Sequence, residues 1–399
     1  MILSTVLAIL ALLSLVLTLW QWFVARRFPL HQRVSDNSFA PAVTLLKSLK
    51  DSDTATENCL RSWFAQDYAG KIQILFGVAS EEDPVCEVVR KLTQEFPARD
   101  AQLIVCGPLS GANAKVSKLA ELGKLAKHDV LVISDADVRV PPDFLANAVA
   151  PLRELDVGLV NCFYRLANPA TLAMQWEAIA INADFWSQVL QSQSLKPLDF
   201  ALGAAMVTRH KQLEEIGGFQ SLADCLADDY QLGNRIARKG HRIALCPVVV
   251  ECWDPPMNWR TVWKHQLRWA RTIRVCQPAP YFFSILSNAG FWALLWLAWG
   301  MTVAVQNSGF LFFDHGFEFD IASPPGVTAA IVCGLIRLLV AYDLQHRLTR
   351  STAHVRYFWL VPIKDLLQAA VWLCAFAGSR IEWRGQRFTL RRDGTLQKR

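Results

Sequence analysis

Short apolar runs alternate with longer amphipathic stretches through the middle of the chain. The short runs are rich in Val, Ile and Leu, which is typical of buried strands, whereas the longer stretches have the spacing of amphipathic helices. Strands are predicted at residues 43–46, 72–78, 103–105, 130–133, 157–163, 204–208 and 248–251. Helices are predicted at residues 56–66, 85–95 and 115–127. This alternation predicts an α/β fold with a mostly parallel sheet and helices on both faces.

The amino-terminal end of the chain is apolar over a much longer stretch. Residues 1–20 form an uninterrupted run that is long enough to cross a bilayer, and Arg26 and Arg27 follow it. No positive charge precedes the run, and no small-residue cleavage site follows it. We therefore expect residues 1–25 to be a retained transmembrane anchor rather than a cleaved signal peptide.

The last third of the chain contains three more apolar segments. Residues 282–305 and 327–342 are predicted to be membrane spans. Residues 357–377 carry Lys364 and Asp365 near their centre, and charges at the middle of a bilayer are costly. We therefore predict that this third segment is interfacial or re-entrant.

These segments divide the chain into four predicted regions: an anchor at 1–25, an α/β domain at 41–277, a membrane region at 280–377 and a basic tail at 378–399. Lys and Arg next to membrane spans favour the cytoplasmic side. The sequence therefore predicts an integral membrane protein whose domain and tail both face the cytoplasm. The expected location is a bacterial inner membrane or its equivalent.

Composition narrows the possible classes of protein. Of the 399 residues, 52% are hydrophobic, which is enough for a large core as well as membrane segments. The net charge of +6 comes from basic residues that are dispersed or lie beside membrane segments, so nucleic-acid binding is not expected. The ten cysteines include no CxxC pair, which argues for reduced thiols and against a zinc site or a disulfide scaffold.

The segment VLVISDADV, residues 130–138, holds the strongest chemical signal. An apolar run ends at Ser134 and is followed by Asp135 and Asp137, with one small residue between them. Open α/β sheets bind their ligands at the carboxyl ends of their strands. Two carboxylates at this spacing can hold one hard cation, and such a cation can bind a diphosphate. A solvated acidic turn is the alternative interpretation of so short a pattern.

Further polar residues follow the predicted strands in a consistent order. They are Asp83 in GVASEEDPV, Asn113, Lys115 and Lys118 in GANAKVSK, Asp228 and Asp229 in ADDYQLGNRIARKG, and Arg268 and Trp269 in HQLRWARTIR. Each has an ordinary explanation when taken alone, such as a turn acid or a solvated helix face. Their joint occurrence favours a single ligand site.

This set of motifs resembles the inverting, processive-type family of nucleotide-sugar glycosyltransferases, and most closely its ceramide glucosyltransferase branch, with the hopanoid-biosynthesis glycosyltransferases included. The resemblance spans residues 43–274 and is supported by VTLLKSLK at 43–50, IGGF at 216–219 and EWRG at 382–385. The last family motif usually begins with Gln or Arg, where this chain has His265. The resemblance implies a GT-A, Rossmann-like glycosyltransferase domain flanked by transmembrane helices.

The resemblance also implies how the acidic residues act. Asp229 matches the general base that deprotonates the acceptor hydroxyl. Asp228 stands where the family commonly has Glu, and it is expected to support the helix start or the acceptor pocket. Asp137, together with Asp135, is expected to hold Mg²⁺ or Mn²⁺ across the donor diphosphate. Asp83 is expected to accept hydrogen bonds from the uracil ring or a ribose hydroxyl.

The basic and aromatic residues complete the expected site. Lys115 and Arg268 are expected to donate charge-assisted hydrogen bonds to the leaving diphosphate. Trp269 offers a flat apolar face beside the sugar or the acceptor, with core packing as the alternative. Three tryptophans just before HQLRW, Trp253, Trp259 and Trp263, suit a bilayer interface or else an aromatic core patch.

The expected reaction moves a hexose from a UDP-sugar, with UDP-glucose favoured, to the hydroxyl of a membrane lipid such as ceramide, with inversion. Apolar anchors on both sides of the domain favour an acceptor that is reachable only at the membrane surface. The alternatives are a hopanoid-lipid N-acetylglucosaminyltransferase, a polysaccharide synthase and a non-catalytic membrane scaffold. The small number of predicted spans weighs against a synthase, and the retained acidic residues weigh against a scaffold.

Overall fold

The computed structural model describes residues 2–311, 325–383 and 386–398, and they form two compact units. The sheet unit comprises Phe28–Met174, Ser192–Lys264 and Gly378–Arg399. The helical unit comprises Met1–Arg27, Gln175–Gln191 and His265–Ala377. Parts of three predicted regions lie outside the described residues: residue 1 of the anchor, 312–324 of the membrane region, and residues 384, 385 and 399 of the tail. Residues 384 and 385 are the second half of the EWRG motif.

The strands and helices follow one another along the chain as the alternation predicted. The strands are β1 (Val43–Ser48), β2 (Ile72–Val78), β3 (Asp100–Val105), β4 (Val130–Ser134), β5 (Val138–Arg139), β6 (Val157–Leu166), β7 (Ala205–Arg209), β8 (Arg242–Cys252), β9 (Arg380–Trp383), β10 (Gln386–Leu390) and β11 (Leu396–Lys398). The α-helices are α1 (Ile2–Arg27), α2 (Thr56–Phe64), α3 (Val85–Glu95), α4 (Ala114–Lys124), α5 (Phe144–Val149), α6 (Leu172–Ile179), α7 (Trp186–Leu195), α8 (His210–Glu215), α9 (Asp228–Arg238), α10 (Trp259–Cys276), α11 (Pro278–Phe283), α12 (Ala289–Leu311), α13 (Pro325–Thr349) and α14 (Leu360–Phe376). A π-helical turn, Ala180–Phe185, joins α6 to α7.

The main sheet has the strand order β3-β2-β1-β4-β7-β6-β8-β5. Strands β1 to β4 pair in parallel, as do β6 and β8, which confirms the predicted α/β fold. Strand β7 differs because it runs antiparallel to both of its neighbours, β4 and β6. Strand β8 begins at Arg242 rather than at 248 and continues through Pro247, a residue that usually argues against a strand interior.

The core of the sheet unit explains why the predicted central strands were recognisable. Every residue of β1, β2 and β4 is buried, as expected for parallel strands that are covered by helices on both faces. Trp63 and Phe144 pack edge to face at 5.5 Å between ring centroids in this core. Burying an aromatic side chain of this size contributes about 1.5–3 kcal/mol. The carboxyl ends of these strands are therefore held rigidly.

The helical unit is built from long apolar helices. Small residues lie where α1, α12 and α13 approach one another, namely Ala11, Ala293 and Ala330, with Trp296 beside them. Among the described residues, two helices are long and apolar enough to cross a membrane, Ile2–Arg27 and Gly326–Thr349. The segments Pro278–Ser287 and Ala289–Val303, bent by 49°, form a third candidate if they are one broken span.

A group of buried charges links three elements of the helical unit. Arg337 on α13 contacts Asp365 on α14 at 2.9 Å and Asp184 on the π-helical turn at 3.0 Å. Lys364 also pairs with Asp184 and lies 3.1 Å from Asp365. Two acids and two bases therefore neutralise one another. Segment 357–377 was predicted to be interfacial or re-entrant because of the cost of placing the charges of Lys364 and Asp365 in a bilayer. The pairing offsets part of that cost. The placement of the segment stays a prediction.

Candidate active site

The acid pair of the SDADV motif lies at the carboxyl end of the buried strand β4. Lys47, on the neighbouring strand β1, is fully buried and donates to the backbone oxygen of Asp135 at 2.6 Å and to Ser134 Oγ at 3.3 Å. Burial lowers the pKa of Lys47 to about 8, with Asp137 and Asp135 acting in the opposite direction. A buried ammonium group therefore fixes the loop that carries both acids.

Lys115 joins the two acidic motifs. Its ammonium group lies 2.7 Å from Asp135 Oδ1 and 3.0 Å from Asp228 Oδ2. The Lys115 side chain is 10% exposed and that of Asp228 11% exposed, whereas that of Asp135 is 39% exposed. The paired charges raise the pKa of Lys115 above its usual range even though burial acts in the opposite direction. Two motifs that are far apart in sequence thus form one site.

Asn113 explains why Lys115 is held in this place. Its side-chain oxygen accepts hydrogen bonds from the backbone N–H of Lys115 at 3.0 Å and of Val116 at 3.2 Å, which caps the start of α4. Its Nδ2 donates to the Cys225 oxygen at 2.8 Å and to Asp228 Oδ1 at 3.4 Å. One amide therefore orients both the helix that carries Lys115 and the acid that Lys115 contacts. Lys118, one turn along α4, instead donates to the Leu49 oxygen.

Asp229 lies in the first turn of α9, beside Asp228. Burial and the neighbouring charge of Asp228 raise the pKa of Asp229 to about 6. One carboxylate oxygen accepts from the backbone N–H of Tyr230 at 2.8 Å. The other lies against Gly203, where an added Cβ would meet Asp229 Oδ2 at 2.5 Å. The carboxylate is thus held in an environment suited to accepting a proton near neutral pH.

Asp137 has the second raised pKa of the site. Burial, followed by the charges of Asp135 and Asp254, raises the pKa of Asp137 to about 7. The neighbouring acids therefore place more negative charge around Asp137 than the ammonium group of Lys47 balances. Two hydrogen bonds to the backbone oxygen of Asp137 fix the loop at this point. Trp253 N donates to it at 3.0 Å and Cys59 Sγ at 3.3 Å.

The donor set at this loop fits a divalent cation. Excess negative charge at Asp135 and Asp137 is what a bound Mg²⁺ or Mn²⁺ would balance. Ions of this kind use one or two carboxylates and complete their coordination with substrate phosphates and water. Within the described part of the chain, no three His, Cys, Asp or Glu side chains converge on a metal position. The site therefore suits a cation that is completed by a substrate, and not a cage made by protein alone.

Asp83 lies at the end of β2 and belongs to a different set of contacts. Its carboxylate accepts from the backbone N–H of Asp51 at 3.0 and 3.2 Å and from that of Val85 at 3.1 Å. Asp83 therefore ties the loop after β1 to the turn after β2. Its expected role toward the nucleotide stays a prediction.

Arg268 and Trp269 lie on α10, in the part of that helix that belongs to the helical unit. The helix is fixed within that unit by Glu177, a buried acid on α6. Glu177 Oε1 lies 2.8 Å from His265 Nδ1 and accepts from Gln266 Nε2 at 2.9 Å. The His265 ring packs on Trp269 with 4.4 Å between centroids. His265 at the head of the motif thus contacts both an acid and the motif's tryptophan.

Sequence reasoning missed three residues of the sheet-unit site, namely Lys47, Gly203 and Asp254. Lys47 had a usable signal, because a lysine in the middle of an apolar strand must find a polar partner. Gly203 and Asp254 had none, since their importance depends on which side chains approach them in space. The tryptophans of the predicted cluster also lie in different surroundings. The Trp253 indole donates to Glu251 Oε2 at 3.0 Å, whereas Trp259 is 47% exposed.

The fold and this acidic site define the class of protein. The sheet is of the GT-A glycosyltransferase type, as predicted. A solved mannosyltransferase from Pyrobaculum calidifontis, in complex with GDP-Man and Mn2+, is similar over 94% of this chain and 98% of its own, with a TM-score of 0.52 and 18% identity. The model of glycosyl transferase family 21 matches residues 6–396, and the chain belongs to that family.

Named relatives agree with the predicted branch. Ceramide glucosyltransferase 3 of Caenorhabditis elegans is 24% identical over 222 residues, which are 55% of this chain and 48% of that protein. Ceramide glucosyltransferase of Candida albicans is 32% identical over 128 residues, which are 29% of this chain and 24% of that protein. The chain thus matches about half, or less, of the length of these relatives. Together with the two candidate spans, the family indicates a membrane protein.

Proposed function

We propose that the chain transfers a hexose from a UDP-sugar, with UDP-glucose favoured, to the hydroxyl group of a membrane lipid such as ceramide, with inversion. The observation that carries the proposal is the bridge made by Lys115 between Asp135 and Asp228. The bridge supports the proposal because it joins the loop that carries Asp135 to the start of α9, where the proposed base Asp229 follows Asp228, in a family 21 chain whose named relatives include ceramide glucosyltransferases.

The leaving group sets the first requirement of the reaction. Negative charge accumulates on the diphosphate as the bond to the sugar breaks, and fixed positive charge stabilises it. A divalent cation held by Asp137 and Asp135 would supply that charge. Lys115 adds to it as a buried ammonium group, and Arg268 is proposed to do so from α10. Lys47 holds the loop that carries Asp135 and Asp137 through its hydrogen bond to the Asp135 backbone oxygen.

The acceptor sets the second requirement, which is a base for the attacking hydroxyl. Asp229 is proposed to take this proton, and its pKa of about 6 leaves it ionised yet basic enough at neutral pH. The hydroxyl oxygen then forms a bond to the anomeric carbon as the bond to the diphosphate breaks. One displacement from the opposite face inverts the anomeric centre. Asp228 is proposed to hold the acceptor side through its contacts with Lys115 and Asn113.

A lipid acceptor fits the helical unit. Helices that are long and apolar enough to span a bilayer would hold the chain at a membrane, which is where the hydroxyl group of a membrane lipid is found. The exposed side chain of Trp259, at the start of α10, suits the interfacial region. A soluble acceptor would not require these helices.

The test is a transfer assay with the full chain in vesicles that contain either ceramide or a hopanoid polyol. We expect a hexosyl-ceramide from UDP-glucose in the presence of Mn²⁺ or Mg²⁺, identified by mass analysis with its anomeric configuration. Formation of an N-acetylglucosaminyl hopanoid from UDP-N-acetylglucosamine would favour the alternative acceptor and donor. The absence of any glycolipid together with a polysaccharide product would contradict lipid transfer.

A matched pair of variants tests the site within the same assay. Asp137→Ala should abolish divalent-dependent transfer while the protein stays folded and membrane-bound. Asp67→Asn, at an exposed position in the same unit, should leave transfer unchanged. Near-normal turnover of Asp137→Ala at saturating Mn²⁺ would contradict the assignment of Asp137.

A further inference from the structure

The basic carboxyl-terminal segment is a folded part of the sheet unit. Strands β9, β10 and β11 form an antiparallel sheet in the order β11-β10-β9, with Phe388, Leu390 and Leu396 buried. Lys264 on α10 pairs with Glu382 on β9 at 2.7 Å. The segment is therefore part of the domain fold and not a loose tail.

We propose that the last turn of this sheet, residues 391–396, is a positioning element for the acid pair Asp228 and Asp229. The proposal rests on the proposed function, because it assigns the turn to the same site. The turn acts on the acids through residues 223–226, the segment that precedes α9, which we call the acid-pair loop.

The turn and the acid-pair loop are joined by main-chain hydrogen bonds. Leu396 N donates to the Asp224 oxygen at 2.7 Å, and Leu226 N donates to the Gly394 oxygen at 3.3 Å. Cys225 and Thr395 form an antiparallel bridge between these two bonds. The acid-pair loop thus runs beside the turn as a short strand, and the position of the loop depends on where the turn lies.

The opposite side of the acid-pair loop is held by the segment that begins α4. Asn113 N donates to the Ala223 oxygen at 2.8 Å, and Ala112 N donates to Asp224 Oδ1 at 2.9 Å. Asn113 Nδ2 donates to the Cys225 oxygen at 2.8 Å. The loop is therefore held between the Lys115 segment and the carboxyl-terminal turn, and each of them fixes the start of α9.

The turn is itself rigid for local reasons. Asp393 Oδ1 accepts from Thr395 N at 3.0 Å and from Thr395 Oγ1 at 2.7 Å. Gly394 has a φ of +84°, a conformation that favours glycine over residues with a side chain. Gly394 N donates to the Arg391 oxygen at 3.1 Å, and Arg391 N donates to the Thr395 oxygen at 2.9 Å. A turn fixed in this way can determine the position of the loop beside it.

The main-chain contact can be tested apart from side-chain packing. Both Leu396→Pro and Leu396→Ala lose the buried leucine side chain. Only Leu396→Pro also loses the N–H that donates to the Asp224 oxygen. In the full chain we expect the proline variant alone to raise amide hydrogen exchange at residues 224–229. We also expect kcat to fall about ten- to a hundredfold relative to Leu396→Ala, since a small displacement of a catalytic group is costly. The KM for the UDP-sugar should change less than kcat, because the loop that carries Asp135 and Asp137 is held separately by Lys47.

A second pair of variants covers the case in which Leu396→Pro does not fold. Gly394→Val forces a side chain into a positive-φ turn beside the acid-pair loop, and Gly240→Val imposes the same strain at φ +91°, at a position with open space around it. We expect the kcat loss and the faster exchange only for Gly394→Val. Equal losses in both variants would overturn the proposal, as would unchanged exchange of residues 224–229 in every folded variant. The exchange readout needs no substrate, so it tests the turn even if the lipid acceptor proposed above is wrong.

Discussion

At the scale of single residues, the site is a set of acids whose proton affinities differ because their surroundings differ. Burial raises the pKa of both Asp137 and Asp229, to about 7 and about 6. Asp137 suits cation binding, because a cation would remove the cause of its shift. Asp229 suits proton transfer, because it lies at the start of a helix against Gly203 and has a moderately raised pKa.

Asp228 and Asp229 can be separated by isosteric substitution. Asp229→Asn keeps the shape and removes the base, so turnover should fall by about a hundredfold to ten-thousandfold while donor affinity stays nearly constant. Asp228→Asn should have a smaller effect on turnover, because Asp228 positions Lys115 and is not assigned to the proton transfer. The measurement is UDP-sugar binding and kcat for both variants side by side, which shows which of the two acids is the base. Loss of turnover in the Asp228 variant with retention in the Asp229 variant would place the base one residue earlier.

The raised pKa of Asp229 also predicts a pH profile. The base must be ionised to act, and the ionised fraction falls as pH drops through about 6, so turnover should decline on the acidic side of that value. Burial raises this pKa most, the charges of Asp228 and Asp135 raise it further, and Lys115 and the backbone N–H of Tyr230 lower it. The measurement is kcat against pH at saturating donor. A profile that stays flat down to the ordinary aspartate range, about pH 4, would contradict the assignment.

At the scale of elements, α4 and α9 carry their site residues in their amino-terminal turns. Asn113 caps α4 and places Lys115 in its first turn, and α9 begins with Asp228 and Asp229. The amino-terminal end of a helix favours ionised acids, which partly opposes the effect of burial on these carboxylates. The first turns of α4 and α9 therefore set the positions of Lys115 and the two acids and contribute to the electrostatic environment of the acids.

The buried charges of the helical unit lead to a stability prediction. Arg337→Leu would leave Asp184 and Asp365 buried with Lys364 as the remaining partner within the group. Breaking a buried ion pair by removing one member costs about 3–5 kcal/mol. We expect the thermal unfolding midpoint in detergent to drop well below that of Arg356→Leu, an exposed arginine in the same unit. Equal midpoints for the two variants would show that the group contributes little to stability.

At the scale of the whole molecule, the carboxyl-terminal segment returns to the sheet unit after the helical unit has been completed. Residues 28–174 and 378–399 fold together, so they must lie on the same side of a membrane. The chain between them must then cross the membrane an even number of times. We predict that two crossings, at α12 and α13, meet this requirement, with α14 not crossing fully.

The topology prediction follows from that requirement. Reporters introduced at Asp53 and at Arg392, both exposed positions of the sheet unit, should be accessible from the same side, which we expect to be the cytoplasm. The measurement is labelling by a membrane-impermeant reagent in sealed vesicles of known orientation. Opposite accessibility at the two positions would show an odd number of crossings between them and would contradict this topology.

The sequence predicted best what is determined locally. Strands β1, β2 and β4 were recognisable because burial on both faces leaves an unbroken apolar run, and SDADV was recognisable because it ends such a run. The antiparallel direction of β7 could not be predicted, since periodicity does not determine which way a strand runs. The basic composition of 378–399 concealed a sheet, because its strands are short and only one face of them is buried.

Lys47 has a consequence for the interval between turnovers. A charged donor would bind and leave in each cycle. Any cation that accompanies the donor at the loop carrying Asp135 and Asp137 would therefore be present for only part of the cycle. Lys47 is part of the core and does not leave with the product. The loop therefore keeps one counter-ion when no donor is bound, and this cation offsets part of the negative charge of the two carboxylates.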